Sequence, residues 1–271
     1  MRIEFTKMSG AGNDFVIVDN RSGHIKDGPK LARIICDRRA GVGADGLLLI
    51  EPSTVASYRM MYYNADGSYG GMCGNGGRCL AQFAVMNKLA QPNHSFEALD
   101  FLYEASVENG QVTLSMKDPK NIKLDIVLPV GSRKLKMHFV DTGSPHVVIP
   151  IGQFRKGLQA IDVMTLGRQV RSHKKFRPLG ANVNFIDKTG TNTLKIRTYE
   201  RGVEDETLAC GTGSIASAVI GHKIWNIRPP VRILPRSGIP LEVNFELRNG
   251  RYERITLRGP AVVTFAGTTD V

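Results

Sequence analysis

The stretch Met-Cys-Gly-Asn-Gly-Gly at residues 72–77 returns as Ala-Cys-Gly-Thr-Gly-Ser at residues 209–214, 137 positions later. Each copy opens a run of small and apolar residues that is typical of a helix. Gly-Ala-Asp-Gly at residues 43–46 returns as Gly-Ala-Asn-Val at residues 180–183, at the same offset. Matches in one order at one offset predict two copies of a single structural unit, and each copy carries one cysteine.

Two looser pairs extend this repeat. Asn64 lies nine residues before the first of these cysteines, and Glu200 lies ten residues before the second. Residues 12–17 (GNDFVI) match residues 143–148 (GSPHVV) at an offset of 131. Two like units that face each other would present two thiols to one ligand from opposite sides. We therefore expect one site built from both copies.

The length and composition fit two globular lobes. The chain has 271 residues, of which 42% are hydrophobic and 23% charged, and two domains of about 130 residues suit that length. No apolar run approaches the ~20 residues of a membrane span, and the first residues contain no apolar signal core. Four cysteines are too sparse for a disulfide scaffold. We expect a cytoplasmic protein that does not associate with a membrane.

The net charge of +11 does not by itself indicate nucleic-acid binding. Basic residues occur in short runs such as residues 171–177 (RSHKKFR), and no helix-turn-helix, zinc-finger or RRM signature accompanies them. A solvated basic face explains the excess, and it would attract an acidic substrate only weakly at physiological salt. We expect no nucleic-acid partner.

The chain shows a β-rich α/β pattern. Predicted strands lie at residues 16–18, 47–50, 58–63, 112–116, 147–149, 183–186, 194–199, 241–245 and 261–265. The two clearest helices follow the cysteines, at residues 77–89 and 213–225, and both are apolar on nearly every face. A buried helix wrapped by strands, formed twice, is the predicted architecture. Proline and charge at residues 117–121 predict the junction between the copies.

The position of each cysteine before Gly-x-Gly at a helix start suits acid–base chemistry. The first backbone N–H groups of a helix lack partners within it, and the helix dipole is positive there. A thiol at this position has a lowered pKa, and the same N–H groups can hold a carboxylate. Buried packing would explain one such cysteine, but two copies in register favour function.

Two thiols across one ligand suit the inversion of a tetrahedral carbon. Inversion requires that a proton leaves one face and that another arrives on the opposite face. A thiolate on one side can act as the base while a thiol on the other acts as the acid. A hydrolytic cysteine would instead need one Cys with a His base.

Polar residues between the repeats suit a zwitterionic ligand. The neutral ones are Asn13, Asn64, Asn75 and Asn182. Asparagine is also common in turns for purely conformational reasons. Arg201 suits a bidentate carboxylate contact, and Glu200 could receive an ammonium group or act on a thiol pKa; a surface ion pair between them is the alternative. His146 occupies a repeated motif, although a lone histidine is commonly structural.

The chain resembles the diaminopimelate epimerase family along almost its whole length. The motifs that carry the resemblance are residues 7–15 (KMSGAGNDF), 64–68 (NADGS), 73–79 (CGNGGRC), 200–202 (ERG) and 209–213 (ACGTG), as far as Gly259-Pro260. The resemblance implies cofactor-independent interconversion of LL- and meso-2,6-diaminopimelate, a step in lysine and peptidoglycan precursor synthesis. It implies an α/β (α+β) fold of two pseudo-symmetric lobes, each a curved, mostly antiparallel sheet around a central helix.

The resemblance also implies the lobes and the roles of residues. The expected lobes are residues 1–118 with 260–271, and residues 119–259. The catalytic pair would be Cys73 and Cys210, and the residues that tune their thiols would be His146 and Glu200. The implied substrate contacts are Asn13, Asn64, Gly74, Asn75, Asn182, Glu200, Arg201, Gly211 and Thr212. We expect diaminopimelate as the ligand, no metal and no cofactor, and we consider a homodimer.

Two positions depart from the family pattern. Many members have Gln where this chain has Gly46, and Asn where it has Ser144. Gly46 cannot supply a side-chain contact, and Ser144 can hydrogen-bond only over a shorter reach. These departures concern contacts to the distal end of the substrate rather than the chemistry.

Other functions are open. Proline racemase and hydroxyproline epimerase resemble this fold and use two cysteines, but they typically place His where this chain has Asn75. Phenazine-type isomerases of the same fold lack the cysteine pair. A non-catalytic protein could instead use a structural zinc site, formed by Cys73, Cys79, Cys210 and His146. Zinc prefers closer ligand pairs than Cys73 and Cys79, which are separated by five residues.

Overall fold

The computed structural model describes residues 1–271, which form seventeen strands and four α-helices. The chain divides into unit 1, Met1–Ser115 with Arg258–Val271, and unit 2, Met116–Leu257. The predicted mixed α/β class with mostly antiparallel strands is confirmed. The lobe boundaries at 118/119 and 259/260 stay a prediction. None of the helices has the length and apolar character needed to cross a membrane.

Unit 1 contains eight strands and two helices. In chain order they are β1 (Arg2–Gly10), β2 (Asn13–Asp19), α1 (Gly28–Ile35), β3 (Gly46–Glu51), β4 (Arg59–Asn64), α2 (Gly74–Met86), β5 (Asn93–Ala98), β6 (Phe101–Glu108), β7 (Gln111–Ser115) and the last strand of the chain, β17 (Val262–Asp270). The pairing runs β17–β1–β2 antiparallel, β2–β3 parallel, β3–β4 antiparallel, β4–β5 parallel and β5–β6–β7 antiparallel.

Unit 2 repeats this plan. Its elements are β8 (Lys120–Val130), β9 (Arg133–Asp141), β10 (Pro145–Pro150), α3 (Val163–Arg171), β11 (Asn182–Lys188), β12 (Thr193–Glu200), β13 (Asp205–Thr207), α4 (Gly211–Trp225), β14 (Val231–Leu234), β15 (Leu241–Arg248) and most of β16 (Arg251–Pro260), whose last three residues belong to unit 1. The pairing runs β8–β9–β10 antiparallel, β10–β11 parallel, β11–β12 antiparallel, β12–β14 parallel and β14–β15 antiparallel. The same order of pairings in both units confirms the predicted repeat.

Each unit holds one helix inside its strands and one outside. Helix α2 packs against β1, β2, β3, β4, β6 and β7, and α4 packs against β9, β10, β11, β12, β14 and β15. Both are buried over most of their length because nearly every side chain on them is small or apolar. Helices α1 and α3 are amphipathic and are the crossovers that the parallel pairs β2–β3 and β10–β11 require.

The turns that lead into β2 and β10 show the repeat in the backbone. Gly12 has φ +105° and Gly143 has φ +94°, a region that side chains with a Cβ rarely adopt. Each glycine lies just before the strand that leads to the outer helix of its unit. The looser sequence match at an offset of 131 therefore reflects a shared turn.

The two central helices begin earlier than the sequence predicts. The expected starts were Gly77 and Gly213, whereas α2 begins at Gly74 and α4 at Gly211. The glycines suggested a loop, but the preceding cysteine caps each helix and fixes the first turn. Helix α2 also ends at Met86 rather than Leu89, because Lys88 has φ +58°, which is incompatible with a continuing helix.

Candidate functional site

The two cysteines occupy the same structural position, the N-cap of the central helix of each unit. Cys73 has φ −114° and ψ 118°, and Cys210 has φ −118° and ψ 116°. The N–H of Gly76 donates to Cys73 Sγ at 3.5 Å, and the N–H of Gly213 donates to Cys210 Sγ at 3.4 Å. Each sulfur thus takes the place of the oxygen that usually caps a helix, and it accepts a backbone N–H.

This position favours a negative charge on sulfur. The aligned peptide dipoles place a partial positive charge at the first turn of a helix, and it falls off within that turn. A thiolate at the N-cap is stabilised both by that charge and by the donated N–H, which lowers the pKa of a thiol. The same first-turn N–H groups can hold a carboxylate.

In unit 1, amide side chains brace the loop that carries Cys73. The Nδ2 of Asn75 donates to Asn13 Oδ1 at 2.6 Å, and the Nδ2 of Asn13 donates to Asp45 Oδ2 at 3.0 Å. The start of β2 is thereby tied to the start of α2. Asn75 is buried, and Asn13 is half-buried beside it, so the structure brings together two of the predicted contact residues.

A charged cluster supports this part of unit 1. Asp14 lies 2.9 Å from Lys7 Nζ and 2.8 Å from Arg38 Nη2, and Lys7 also donates to the Gly43 carbonyl. Burial acts to raise the pKa of Asp14, but the hydrogen bonds from Arg38 and Lys7 outweigh it and lower the pKa to about 2. Asp14 is therefore ionised at neutral pH and links β1, β2 and the loop before β3.

Asn64 ends β4 and is held by local hydrogen bonds. The hydroxyl of Tyr62 donates to Asn64 Oδ1 at 2.7 Å, and Asn64 Nδ2 donates to Ser68 Oγ at 2.9 Å. Gly46 pairs with Asn64 across the strands, and a Cβ at Gly46 would lie 2.5 Å from the Tyr62 ring. The Tyr62 ring therefore fills the space into which a longer side chain at position 46 would project.

In unit 2, a hydrogen-bonded group connects His146 with Cys210. The Thr212 hydroxyl lies 2.9 Å from His146 Nε2 and 3.5 Å from Cys210 Sγ. Ser144 Oγ lies 3.0 Å from the same nitrogen and 3.3 Å from the Thr212 hydroxyl. His146 is fully buried on β10, and the Thr212 hydroxyl lies between its Nε2 and the cysteine sulfur.

The protonation of His146 follows from its second nitrogen. Asn184 Nδ2 donates to the Val147 carbonyl at 3.1 Å, and Thr198 donates to Asn184 Oδ1 at 2.9 Å; both bonds fix the orientation of the amide. The same Nδ2 lies 3.0 Å from His146 Nδ1, which must then be an acceptor. Burial, together with the charge of Arg201, lowers the pKa of His146 to about 3. The neutral imidazole therefore carries its proton on Nε2, towards Thr212.

Asn182 joins the Glu200-Arg201 pair to this group. Its Oδ1 accepts the Arg201 backbone N–H at 2.8 Å, and its Nδ2 donates to the Pro145 carbonyl at 3.2 Å. The guanidinium of Arg201 lies 3.4 Å from the Leu179 carbonyl, and Glu200 accepts a hydrogen bond from Thr207 at 2.9 Å. These contacts hold the residues that follow β12 against the starts of β10 and β11.

The two remaining cysteines have a different environment. Cys36 and Cys79 are buried, and burial raises the pKa of each thiol to about 12. Both thiols are therefore protonated at neutral pH, and solvent does not reach them. The structure contains no group of three or more His, Cys, Asp or Glu side chains arranged to hold a metal ion.

Sequence reasoning missed four side chains that shape these surroundings. They are Tyr62, Arg78, Asn184 and Thr198. Asn184 and Thr198 lie inside strands, where a polar residue usually faces solvent, yet here both are buried. Arg78 is a single charge in an otherwise apolar stretch of α2 and is 0% exposed. A lone charge within a buried helix was the available signal for Arg78.

Comparison with known proteins gives one consistent family. The family model described as diaminopimelate epimerase matches residues 5–130 and 138–256. A diaminopimelate epimerase from Chlorobaculum tepidum is 43% identical, with 96% of this chain and 99% of that protein covered. One from Aquifex aeolicus is 38% identical over 90% of each, and one from Archaeoglobus fulgidus is 39% identical over 88% of each.

Solved structures extend the likeness of fold. A phenazine biosynthesis protein from Bacillus anthracis matches with a TM-score of 0.77 and 15% identity, over 100% of both chains. A probable proline racemase from Agrobacterium radiobacter K84 matches with a TM-score of 0.74 and 16% identity, over 99% of this chain and 92% of that one. At these identities the likeness shows a shared fold and carries nothing about the reaction.

Proposed function

Because the chain belongs to the diaminopimelate epimerase family, we propose that its two cysteine-capped helices carry out the epimerisation of LL- to meso-2,6-diaminopimelate. The family activity is an amino-acid isomerisation in lysine biosynthesis. One observation carries the assignment of the chemistry to Cys73 and Cys210: both sulfurs cap a central helix with the same backbone geometry and accept an N–H three residues on. Two equivalent thiols suit a reaction that treats the two faces of one carbon alike.

The proposed reaction moves one proton off the α-carbon and another onto it. A thiolate takes the α-proton from one face, so that its sulfur becomes S–H and the carbon becomes a carbanion. The thiol on the other face then gives its proton to the carbon and becomes the thiolate. Charge and protons balance, and the two sulfurs have exchanged states. The reverse direction uses the same groups in opposite roles.

The carbanion needs stabilisation, which we assign to the helix starts. The charge that develops at the α-carbon spreads into the neighbouring carboxylate. Backbone N–H groups at Gly74-Asn75 and Gly211-Thr212 lie at the positive ends of α2 and α4, where an anion is favoured. These donors are already ordered by the caps, so they need little reorganisation when charge develops. The proposal needs no cofactor and no metal.

The remaining polar residues suit the other charged groups of the substrate. Asn64 and Asn182 are held by neutral partners and Asn13 by the carboxylate of Asp45, and all three amides can orient ammonium or carboxylate groups. The guanidinium of Arg201 has a backbone carbonyl as its hydrogen-bond acceptor, which leaves donors for a carboxylate. Glu200 supplies negative charge for an ammonium group. His146 acts on Cys210 through Thr212.

The alternative of a proline racemase or hydroxyproline epimerase has weaker support. The matching structures of that kind are 14–16% identical, whereas full-length relatives named diaminopimelate epimerase reach 43%. Asn75 also occupies the place where those enzymes typically carry His. Incubation with L-proline and trans-4-hydroxy-L-proline serves as the control, and neither should be turned over.

The decisive experiment is turnover of LL-diaminopimelate in deuterium oxide. A thiol holds a single proton, so the proton that is removed can return only to the face it left. Early in the reaction the meso product should therefore carry α-deuterium while the remaining LL substrate keeps its protium. Deuterium that enters both at equal rates would contradict the two-thiol mechanism. Dialysis against a chelator should leave the rate unchanged.

Cysteine variants test the assignment of the two bases. Cys73→Ala and Cys210→Ala should each lower kcat by at least about 10²- to 10⁴-fold, since inversion needs one group to remove a proton and the other to supply one. Cys36→Ala is the control, because this buried cysteine directly after α1 has no part in the proposed chemistry, and it should keep most of the activity. Wild-type turnover by Cys210→Ala would overturn the assignment.

We also propose that the chain assembles as a homodimer. The last strand, β17, pairs with β1 and exposes Val262, Val263 and Phe265. A row of exposed apolar side chains on one strand is typical of a covered surface. Phe265→Glu should shift the mass measured by light scattering to that of one chain, while Val55→Glu, an exposed loop position, should not. A wild-type protein that elutes as one chain would refute the proposal.

A cytoplasmic location remains a proposal that rests on the family's role in amino-acid biosynthesis. Fractionation of cells that produce the protein with a C-terminal tag would test it. The proposal predicts recovery with cytoplasmic marker enzymes, and recovery with membranes or secreted material would contradict it.

A further inference from the structure

Arg78 is the one fully buried arginine that the proposed chemistry leaves without a role. Its side chain is 0% exposed, and none of the ion pairs in the molecule includes it. Nη2 donates to Asn75 Oδ1 at 2.9 Å and Nη1 donates to the Gly74 carbonyl at 3.3 Å, and both acceptors are neutral. Nε has no hydrogen-bond partner. A buried charge without a carboxylate is costly, so its presence needs an explanation.

The position of the guanidinium gives that explanation. Arg78 is the fifth residue of α2, about 6 Å of helix rise beyond its first residue. Helical side chains lean towards the N-terminus, and the two hydrogen bonds place this guanidinium beside the first turn. Its charge therefore lies next to the cap occupied by Cys73, inside the protein, where water screens little.

The second copy differs at this point. The residue 137 positions after Arg78 is Ile215, fully buried in the corresponding turn of α4. The first turn of α4 faces His146, which is neutral, through the hydroxyl of Thr212. The two sulfurs therefore share backbone geometry but not electrostatic surroundings, because Arg78 lies near the first turn of α2, whereas Lys223, the cation of α4, lies in its last turn.

We propose that Arg78 is a positioning residue whose buried charge keeps the proton off Cys73, so that Cys73 holds the thiolate and Cys210 the thiol before the substrate binds. This inference rests on the proposed function, in which Cys73 and Cys210 exchange protons with the substrate. A thiolate at Cys73 would also offset the cost of burying Arg78, because it supplies the negative charge that the buried guanidinium otherwise lacks.

The other titratable groups of unit 1 do not compete for this role. The groups that interact electrostatically with Arg78 are the thiols of Cys79 and Cys73, and the buried Cys79 is protonated. Lys7, Asp14, Arg38 and Asp45 form their own cluster on the side of β1, β2 and the loop before β3. In unit 2 the charged residue that acts on His146 is Arg201, and Glu200 precedes it in the chain.

The test titrates each thiol alone. Rates of alkylation by iodoacetamide are measured against pH for Cys73 in Cys210→Ala and for Cys210 in Cys73→Ala, with the modified peptide identified by mass spectrometry. Cys73 should reach half-maximal reactivity at a pH about one unit below that of Cys210. Equal midpoints, or a lower midpoint for Cys210, would overturn the inference. This comparison requires no change at Arg78.

Variants at the equivalent positions 78 and 215 test whether the charge of Arg78 causes the lower midpoint of Cys73. Arg78→Met should raise the Cys73 midpoint by about one unit, and Arg78→Lys, which keeps the charge, should restore most of the shift. Ile215→Met is the matched control in the other copy and should leave the Cys210 midpoint unchanged. An Ile215→Met shift as large as that of Arg78→Met would show a packing effect and refute the role of charge.

The titration is independent of turnover, so the two proposals can fail separately. Unequal thiols in a protein that does not epimerise diaminopimelate would overturn the proposed function alone. Full epimerase activity with equal thiol midpoints would overturn the role of Arg78 alone. In an active enzyme, Arg78→Met should also move the acid limb of kcat/KM to higher pH in the direction in which Cys73 is the base.

Discussion

The hydroxyl of Thr212 lies 2.9 Å from Nε2 of His146, and this contact connects a buried imidazole to the helix that Cys210 caps. Asn184 holds the other ring nitrogen as an acceptor, so Nε2 carries the proton and donates towards the hydroxyl. The hydroxyl can then donate its own proton towards Cys210 Sγ, 3.5 Å away. The direction of hydrogen bonding thus runs from Asn184 to the sulfur, so the hydroxyl can stabilise the thiolate that Cys210 becomes once it has given its proton to the substrate.

Removal of that hydroxyl should weaken the thiolate of Cys210. Thr212→Val keeps the shape of the side chain and loses the donor, so the Cys210 alkylation midpoint should rise and kcat should fall about tenfold. Ser217→Ala is the control, since that buried hydroxyl of α4 bonds only to the Gly213 carbonyl. An unchanged midpoint and kcat in Thr212→Val would show that His146 does not act through this hydroxyl.

His146 should be neutral at pH 5 and above. Its pKa is lowered by burial and by Arg201 to about 3, below the ordinary value of 6.5. The unfolded chain therefore binds a proton that the folded chain does not, and stability declines as the pH falls from 6.5 towards 3. Nitrogen NMR at pH 5 should show a neutral ring protonated on Nε2. A charged ring at that pH would contradict the described network.

Asp14 should add to stability above its unfolded pKa. Its folded pKa is about 2 against an ordinary 3.8, so its contribution is complete above pH 4 and is lost as the pH falls towards 2. Asp14→Asn should lower the free energy of unfolding by about 1 to 2 kcal/mol at pH 7, after allowance for solvent screening. Urea titrations at pH 7 and pH 3 would test this, and an equal difference at both values would refute it.

Equivalent glycines in the two copies should respond differently to alanine. A Cβ at Gly213 would lie 2.4 Å from Asn184 Oδ1, within the buried His146 group, whereas a Cβ at Gly76 would lie 3.3 Å from the flexible Leu48 side chain. Gly213→Ala should destabilise the fold by about 2 to 3 kcal/mol. Gly76→Ala should stay within about 1 kcal/mol, because alanine also favours the helix. Similar losses of stability would contradict this packing.

The repeated cysteine loops made the architecture predictable, because a repeat of sequence at one offset requires a repeat of structure. The nine predicted strands all overlap strands of the two units. No strand was predicted over β8, because most of its side chains are exposed and polar or charged residues interrupt its apolar ones. The outer helices α1 and α3 were not predicted either. They have eight and nine residues, which is too few turns to show a clear hydrophobic period.

The candidate site was predictable where the residue type and its position in a helix together indicate one chemical role. Cysteine at a helix start is such a case, and both cysteines cap their helices. The partners that decide the state of each sulfur were not predictable in the same way. Whether Arg78 or Asn184 faces solvent or the interior depends on residues distant in sequence, which periodicity does not report.

The pairing of β17 with β1 has a consequence for biosynthesis on the ribosome. Arg2 pairs with Asp270, and the first residue donates to the carbonyl of Val271, so the two ends of the polypeptide meet on one edge of unit 1. The edge of β1 that pairs with β17 stays open until residues 262–270 have been translated and have left the exit tunnel. Unit 2 is one continuous segment of the chain, and it leaves the exit tunnel before β17 does. Synthesis of unit 1 therefore starts before that of unit 2 and is completed after it. A nascent chain truncated before residue 262 lacks β17, so the edge of β1 remains unpaired.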